Sequence, residues 1–277
     1  QSENSDPFTR EGLPITRRQK MLCELGVLQL AIQCVTAPFE TGVYQHDEID
    51  TKNVDKSGSP DVLEMRSLGV LAMRLVRHLL RDEDDNKSTA LRFVPELRGL
   101  LPCGVGSSDV LTELFTDNAR VEHVPNETIQ MFIDLIRTKG RLGRYVRFLE
   151  VLLTCRDKSV RPNQWRVSEM LLEKASELLL RLDLTPNGEV IVSGDVTYFP
   201  KLAGGSMHLC EWLDTTAPET ADYFAALMSL YASCVRGRNL RVTPTMQKLL
   251  PYDTLLAVIR DERLKEEDAR SGFLLDG

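Results

Sequence analysis

The chain has 277 residues, 42% of them hydrophobic, with a net charge of −7 and a sequence pI near 5.3. That is enough apolar material for one large or two small cores, and the acid excess argues against a general nucleic-acid-binding surface. No apolar run approaches the roughly 18 residues that cross a bilayer, and the polar start QSENSDPFTREG carries no secretory pattern.

In chain order, residues 1–18 read as a flexible N-terminal stretch. With no initiating Met and a final apolar run, SGFLLDG, that stops short, the chain is expected to be a piece of a longer polypeptide. The segment QKMLCELGVLQLAIQCV aligns Met21, Leu25, Leu28, Ile32 and Val35 on one helical face. Residues 45–60 (QHDEIDTKNVDKSGSP) form a polar loop insert. Met65, Leu68, Ala72, Leu75 and Leu79 then make a second stripe.

Two later stretches imitate ligand loops. DEDDNKSTALRF places Asp82, Asp84 and Asn86 at alternate positions, yet Lys87 stands at the glycine position of a calcium loop and Phe93 at its glutamate. It reads as a solvated acidic loop. GVGSSD lacks a preceding strand and a Lys-Ser/Thr ending, so it reads as a hinge with Ser108 or Asp109 capping the helix VLTELF.

Next come the clearest helices. Ile129, Phe132, Ile133 and Ile136 form one stripe behind an expected N-cap at Asn126. Leu142, Tyr145, Val146, Leu149, Leu152 and Leu153 form the next. VSEMLLEKASELLLRL reads as a further helix, and NGEVIVSGDVTYF (187–199) carries the signals of a short β-hairpin. FPKLAGG (199–205) reads as a loop. Tyr223, Leu227, Leu230 and Cys234 stripe the following helix, and Asp253 precedes a last one, with Gly140 and Gly237 at helix ends.

The fold class is therefore all-α: antiparallel helix pairs in an irregular armadillo- or HEAT-like solenoid. Burying a large side chain contributes about 1.5–3 kcal/mol, while ordering each residue costs about 1–2 kcal/mol. One pair cannot stand alone, and its neighbours must cover the second face.

Chemistry is sparse. His46, His78, His123 and His208 are isolated, and no spacing of histidine and cysteine suits zinc. Cys23, Cys34, Cys103, Cys155, Cys210 and Cys234 lie mostly in apolar runs as core thiols, consistent with a reducing compartment. No catalytic, cofactor-binding or metal-binding residue is assigned, and no cofactor is expected. The one concentrated feature is the corner TKGRLGR, where Arg137, Lys139, Arg141, Arg144 and Arg147 gather five cations. Forked guanidinium donors grip phosphate oxygens well, so the corner is a candidate anion contact. The competing reading is that cations complement the end of one helix and line the outer face of the next. TRRQK and VRGRNLR repeat the same habit, which favours the second reading.

The same corner carries a likeness. Thr138-x-Gly140-Arg141 followed by Tyr145-Val146-Arg147-Phe148-Leu149 resembles the central helical pair of the ryanodine and inositol trisphosphate receptor homology domain. RQKMLCELGVLQLAIQCVTAPFE, LMSLYASCVRGRNLRV and QKLLPYDTLLAVIRDE resemble further segments of that domain, in the same order. The resemblance is nearest to the inositol trisphosphate receptor branch, in the helical region downstream of the ligand-binding core. It implies a single armadillo-like segment over 1–277 within an endoplasmic-reticulum or other calcium-store release channel, on the cytosolic side. The implied partners are other domains and subunits of a homotetramer and regulatory proteins, with no nucleic acid; the implied role is to relay ligand binding to the pore. Residues 183–218 depart from the family as a divergent, irregular insert, and RPNQW replaces a more basic stretch. An unrelated armadillo- or HEAT-type protein-binding scaffold is the alternative reading, and an all-helical enzyme a distant third.

Overall fold

The computed structural model describes residue 6 and residues 12–40 and 60–261; the expected loop at 45–60 and most of the N-terminal stretch lie outside them. The described residues are mostly helical, with two small antiparallel sheets among them. It divides into two compact units at Val121 and Glu122.

In the first unit the expected first helix is two. Helices α1 (Thr16–Glu24) and α2 (Val27–Glu40) meet at a 62° bend, where Gly26 takes a φ of +78° that a side chain resists. The break rotates Met21 and Leu25 into solvent, while Leu28, Ile32 and Val35 stay buried. In α3 (Pro60–Leu80) the buried face is Ala72, Met73, Val76, Leu79 and Leu80, so Leu68 and Leu75 of the expected stripe are exposed. Helix α3 packs on α2 and on α6 (Ser107–Phe115), with Val105 closing over Gly69: a Cβ there would lie 3.1 Å from the valine's Cγ1.

The expected acidic loop is instead helix α4 (Asp84–Ala90), followed by a 3₁₀ turn and α5 (Val94–Gly99). The reason lies in two buried polar residues. Asn86 donates to the Leu79 carbonyl at 2.7 Å, and Lys87, 4% exposed, donates to the Thr116 carbonyl at 2.8 Å beside Glu113. These bonds tie α4 to the C-terminal ends of α3 and α6. Burial also pushes the Glu113 carboxyl above its usual range, against the pull of Lys87. Ser108 and Asp109 fall within the first turn of α6 and do not cap it; left-handed Gly106 precedes the helix.

The second unit is built around α7 (Asn126–Thr138), α8 (Gly143–Val151) and α11 (Pro218–Val235). The N-cap of α7 is Pro125, one residue before the expected Asn126. All of the apolar stripes expected in these helices are buried apart from Leu142, which is partly exposed. Phe132 stacks on Phe148 with ring centroids 3.7 Å apart, joining α7 to α8.

Beyond α8 the chain makes a tight hairpin, β1 (Thr154–Cys155) and β2 (Lys158–Ser159), turned by Arg156 and Asp157, both at positive φ as a two-residue turn requires. Helix α9 (Arg161–Val167) runs into a wide π turn, Ser168–Glu173, and a 3₁₀ turn, Ser176–Leu178. The expected helix therefore ends early. Leu180 and Leu182 alternate with exposed Arg181 as strand β3 (Leu180–Leu184), which pairs with β4 (Val190–Gly194). The hairpin sits seven residues upstream of its expected start, with Asn187-Gly188 in its turn, and β5 (Ser206–His208) adds a third strand. Residues 183–218, expected to be irregular, hold most of this sheet and α10 (Leu209–Thr215), whose Trp212 packs edge-on to Phe224 of α11. The last elements are α12 (Thr243–Leu249) and α13 (Tyr252–Arg260), which begins a residue before Asp253.

Helix α9 ties the unit together. Asn163 and Gln164 are fully buried. Asn163 donates to the Leu152 carbonyl at the end of α8, at 2.7 Å. Gln164 donates to the Ser233 and Arg236 carbonyls at the end of α11, at 2.8 and 3.0 Å. Its own oxygen accepts from Asn239 at 2.9 Å. Arg166 reaches the Val124 carbonyl at 2.6 Å, just before α7. Replacing Gln164 with Ala leaves two buried carbonyls without donors, at about 1–3 kcal/mol each. Urea denaturation of Gln164→Ala is expected to show a loss of about 2–4 kcal/mol, whereas the surface change Gln130→Ala stays within about 0.5 kcal/mol.

Candidate functional site

The corner between α7 and α8 exists because the chain must reverse there. Lys139 closes α7, Gly140 takes a φ of +126°, and α8 starts three residues later. Gly143, the first residue of α8, lies against Asp222 of α11: an added Cβ would come within 2.9 Å of the Asp222 carbonyl oxygen. The two helices approach closely at this point because no side chain separates them.

Each arginine of the corner has a defined neighbour. Arg137 bonds Asp134 on its own helix at 3.0 Å and Glu177 across the fold at 2.7 Å. The Glu177 bond raises its affinity for the proton it already holds. Arg141 lies over the rings of Tyr198 and Phe199, at 5.7 and 5.9 Å. Arg144 stacks on Tyr145 at 5.1 Å, and its Nε is buried without a hydrogen-bond acceptor. Arg147 meets Asp222 in a two-pronged contact, each guanidinium nitrogen on a different carboxylate oxygen. Lys139 is half-buried at the helix end.

The partners of the four arginines lie on separate elements: the 3₁₀ turn after α9, the chain following β4, α8 itself and α11. The corner thus works as a set of struts, reaching from one hairpin to whatever packs beside it. Exposed pairs of this kind contribute about 0–1 kcal/mol each, so their effect is to fix register more than to add stability. Farther along the same interface, Glu150 of α8 accepts from the hydroxyls of Ser229 and Ser233 on α11. Gly143, Arg147 and Glu150 form one edge of α8, and Asp222, Ser229 and Ser233 the matching edge of α11.

Of the six cysteines only Cys103 and Cys234 are buried, and Cys34 is exposed. Burial pushes the Cys234 thiol up to about 12, so it stays protonated and packs as an apolar group. Burial likewise raises the phenols of Tyr223 and Tyr231, whose hydroxyls donate to the Leu178 and Leu180 carbonyls. His208 pairs with Glu189 at 3.3 Å. Among the described residues no group of three or more histidine, cysteine, aspartate or glutamate side chains is placed to hold a metal ion.

Sequence reasoning missed the most connected residues of the unit, Asn163, Gln164, Arg166 and Asn239. The available signal was the pairing of adjacent amides with Trp165 just inside a proline-started helix. An amide in a helix interior competes with the backbone unless it has somewhere to bond.

Residues 1–184 match the family model described as the RIH domain. Over 280 aligned residues, covering 95% of the chain, the sequence is 24% identical to "Inositol 1,4,5-trisphosphate receptor-like protein A" of Dictyostelium discoideum. The chain spans 8% of that relative's length.

The close approach at Gly143 gives a direct test of the strut geometry. Gly143→Ala forces Asp222 aside and is expected to cost about 1–3 kcal/mol in chemical denaturation. Asp222→Ala removes part of the obstruction, so the double variant is expected to lose less than the sum of the two single losses.

Proposed function

The chain belongs to the RIH-domain family, and from that membership we propose that it is a regulatory and structural segment of an inositol trisphosphate receptor-like calcium-release channel. In this reading it relays ligand occupancy toward the pore and performs no catalysis. It works on the cytosolic face of the endoplasmic reticulum or another calcium store, in contact with other domains and subunits of a homotetrameric parent.

The observation that carries the proposal is the span of the likeness: the alignment to the receptor-like relative runs through 95% of the chain and both compact units, not through one motif. The build of the second unit is in keeping with such a role. A relay element must keep its shape while it moves, and directional bonds from α9 to the ends of α8 and α11 hold those helices in one arrangement. A coupling role requires a demonstrated effect of one site on another. Inserting a flexible glycine-serine segment between Gly140 and Leu142 of the full-length channel is expected to reduce ligand-evoked calcium flux while leaving ligand affinity intact. Unchanged flux in a correctly assembled channel overturns the relay reading.

The basic corner is read within this proposal as scaffold. What supports that is the engagement of Arg137 by Glu177 and of Arg147 by Asp222. Titrating inositol trisphosphate into the chain in a calorimeter is expected to give no binding heat. Micromolar binding that disappears in Arg141→Ala or Arg144→Ala makes the corner a ligand site instead.

A further inference from the structure

The turn from α11 to α12 places an apolar side chain in solvent and holds it there. Leu240 is 81% exposed. The residues before it, Gly237 and Arg238, both adopt left-handed backbone, with φ of +77° and +58°. The Leu240 N–H donates to the Arg238 carbonyl at 3.0 Å, closing a tight turn. An arginine in that conformation is disfavoured and persists only where its surroundings fix it. Here they do. Asn239, 4% exposed, is pinned beneath the turn: it donates to the Gln164 oxygen and accepts from the Trp165 indole at 3.1 Å.

The tip is ringed by cations. Arg238 precedes Leu240, and Arg241 follows it, stacked at 5.0 Å on the half-exposed ring of Trp165. Arg161 reaches the Gly237 carbonyl at 3.3 Å, and Arg236 pairs with Asp157 at 3.2 Å. In a chain of net charge −7, this is a preformed knob of opposite sign to the molecule that bears it.

A matching receptacle lies elsewhere on the same unit. Beside α13 and the β3–β4 hairpin is an open groove of about 470 Å³. Leu184, Val190 and Leu256 make its apolar floor, and its rim carries Asp253, Glu189 paired with His208, and Asp261 beside the Cys210 thiol, with Arg260 the one opposing charge among the described lining residues. Tyr252, Leu255 and Ile259, exposed along α13, extend the apolar surface beside it. The knob offers an apolar point among cations, and the groove an apolar floor among carboxylates.

We infer that the α11–α12 knob docks into the α13 groove of a second copy of this chain. Knob and groove have no residue in common, so the contact is head-to-tail and propagates into a ring or an open row. Overall acidity opposes indiscriminate association, leaving the local complementarity to select this one orientation.

Sedimentation of the intact chain tests it. At low salt the mean mass is expected to rise as concentration goes from about 10 µM to about 1 mM, and to fall back when salt shortens the screening length to a few ångströms. Leu240→Asp, Arg238→Glu and Asp253→Arg are each expected to weaken self-association at least tenfold, with circular dichroism confirming that they fold. Mixing Arg238→Glu with Asp253→Arg is expected to restore association, because the intact knob of the second meets the intact groove of the first. A chain that stays monomeric throughout overturns the proposal. So does self-association unaffected by Leu240→Asp, or a mixture no more associated than its components.

Discussion

Buried amides that bond the open ends of neighbouring helices are the interaction on which the rest of this structure depends. Every α-helix finishes with carbonyls that have no partner within it. A chain made of many short helices has many such ends, and packing them together removes the water that would otherwise serve them. Here most of the donors come from other elements, and Asn118 from just beyond the helix it serves. Gln19 of α1 bonds the His78 and Arg81 carbonyls at the end of α3, both at 2.8 Å. Asn86 serves the same helix, Asn118 the Leu114 carbonyl of α6, and Asn163 and Gln164 the ends of α8 and α11. Helix starts are managed differently. The described N-caps make no side-chain capping bond, and α5, α9, α11 and α12 place a proline in their first two positions. Proline removes an orphan donor by having none. The outcome is an asymmetry: starts need no distant partner, while most ends depend on tertiary ones.

That asymmetry accounts for the character of the basic corner. A helical hairpin brings a C-terminal end beside an N-terminal start, and the cations that suit the first also lie near the second. Arginine is well matched to such a place because its planar fork bonds directionally to a carboxylate and its face stacks on an aromatic ring. Arg147 uses the fork on Asp222 and Arg141 the face on Tyr198 and Phe199. The same two habits recur at the α11–α12 turn, where Arg236 pairs with Asp157 and Arg241 covers Trp165. The difference between the two corners is the residue at the tip. The first ends in glycines, the second in an exposed leucine held on a buried asparagine.

Legibility in the sequence followed the width of each helix's apolar stripe. In α7 and α8 one face is apolar and the other is not, so the stripe could be read directly, and it is buried. Helix α3 is apolar on more than one side, and periodicity alone could not choose between Leu68 with Leu75 and Met73 with Val76. The run Leu178 to Leu182 shows the same ambiguity between states: a short string of leucines fits a helix or a buried strand, and the pairing of Leu182 with Val192 decides for strand. At Gly26 the signal was present, but an isolated glycine inside a periodic pattern is often tolerated without a break. The cations of the corner were plain from their spacing. Their partners were not, because Glu177 and Asp222 lie 40 and 75 residues away, and nothing in a single sequence separates a carboxylate that receives an arginine from one that faces water.

Directional bonding also determines how such a unit can move. Apolar contacts between helices let one slide along another by small steps, since one methyl group replaces another at little cost. An amide bonded to two carbonyls does not slide. A shift of α9 by one residue along α11 separates Gln164 from Ser233 and Arg236 together and takes Asn239 with it. Each buried group so stranded costs about 1–3 kcal/mol, so partial displacement is worse than either complete engagement or complete release. Helices joined this way are expected to act as one body, with displacement confined to places where the contacts are exposed and ionic, such as Arg147 with Asp222 and Arg236 with Asp157. The amides of α9 therefore set the boundary of what moves together, and the surface ion pairs mark where movement is cheap.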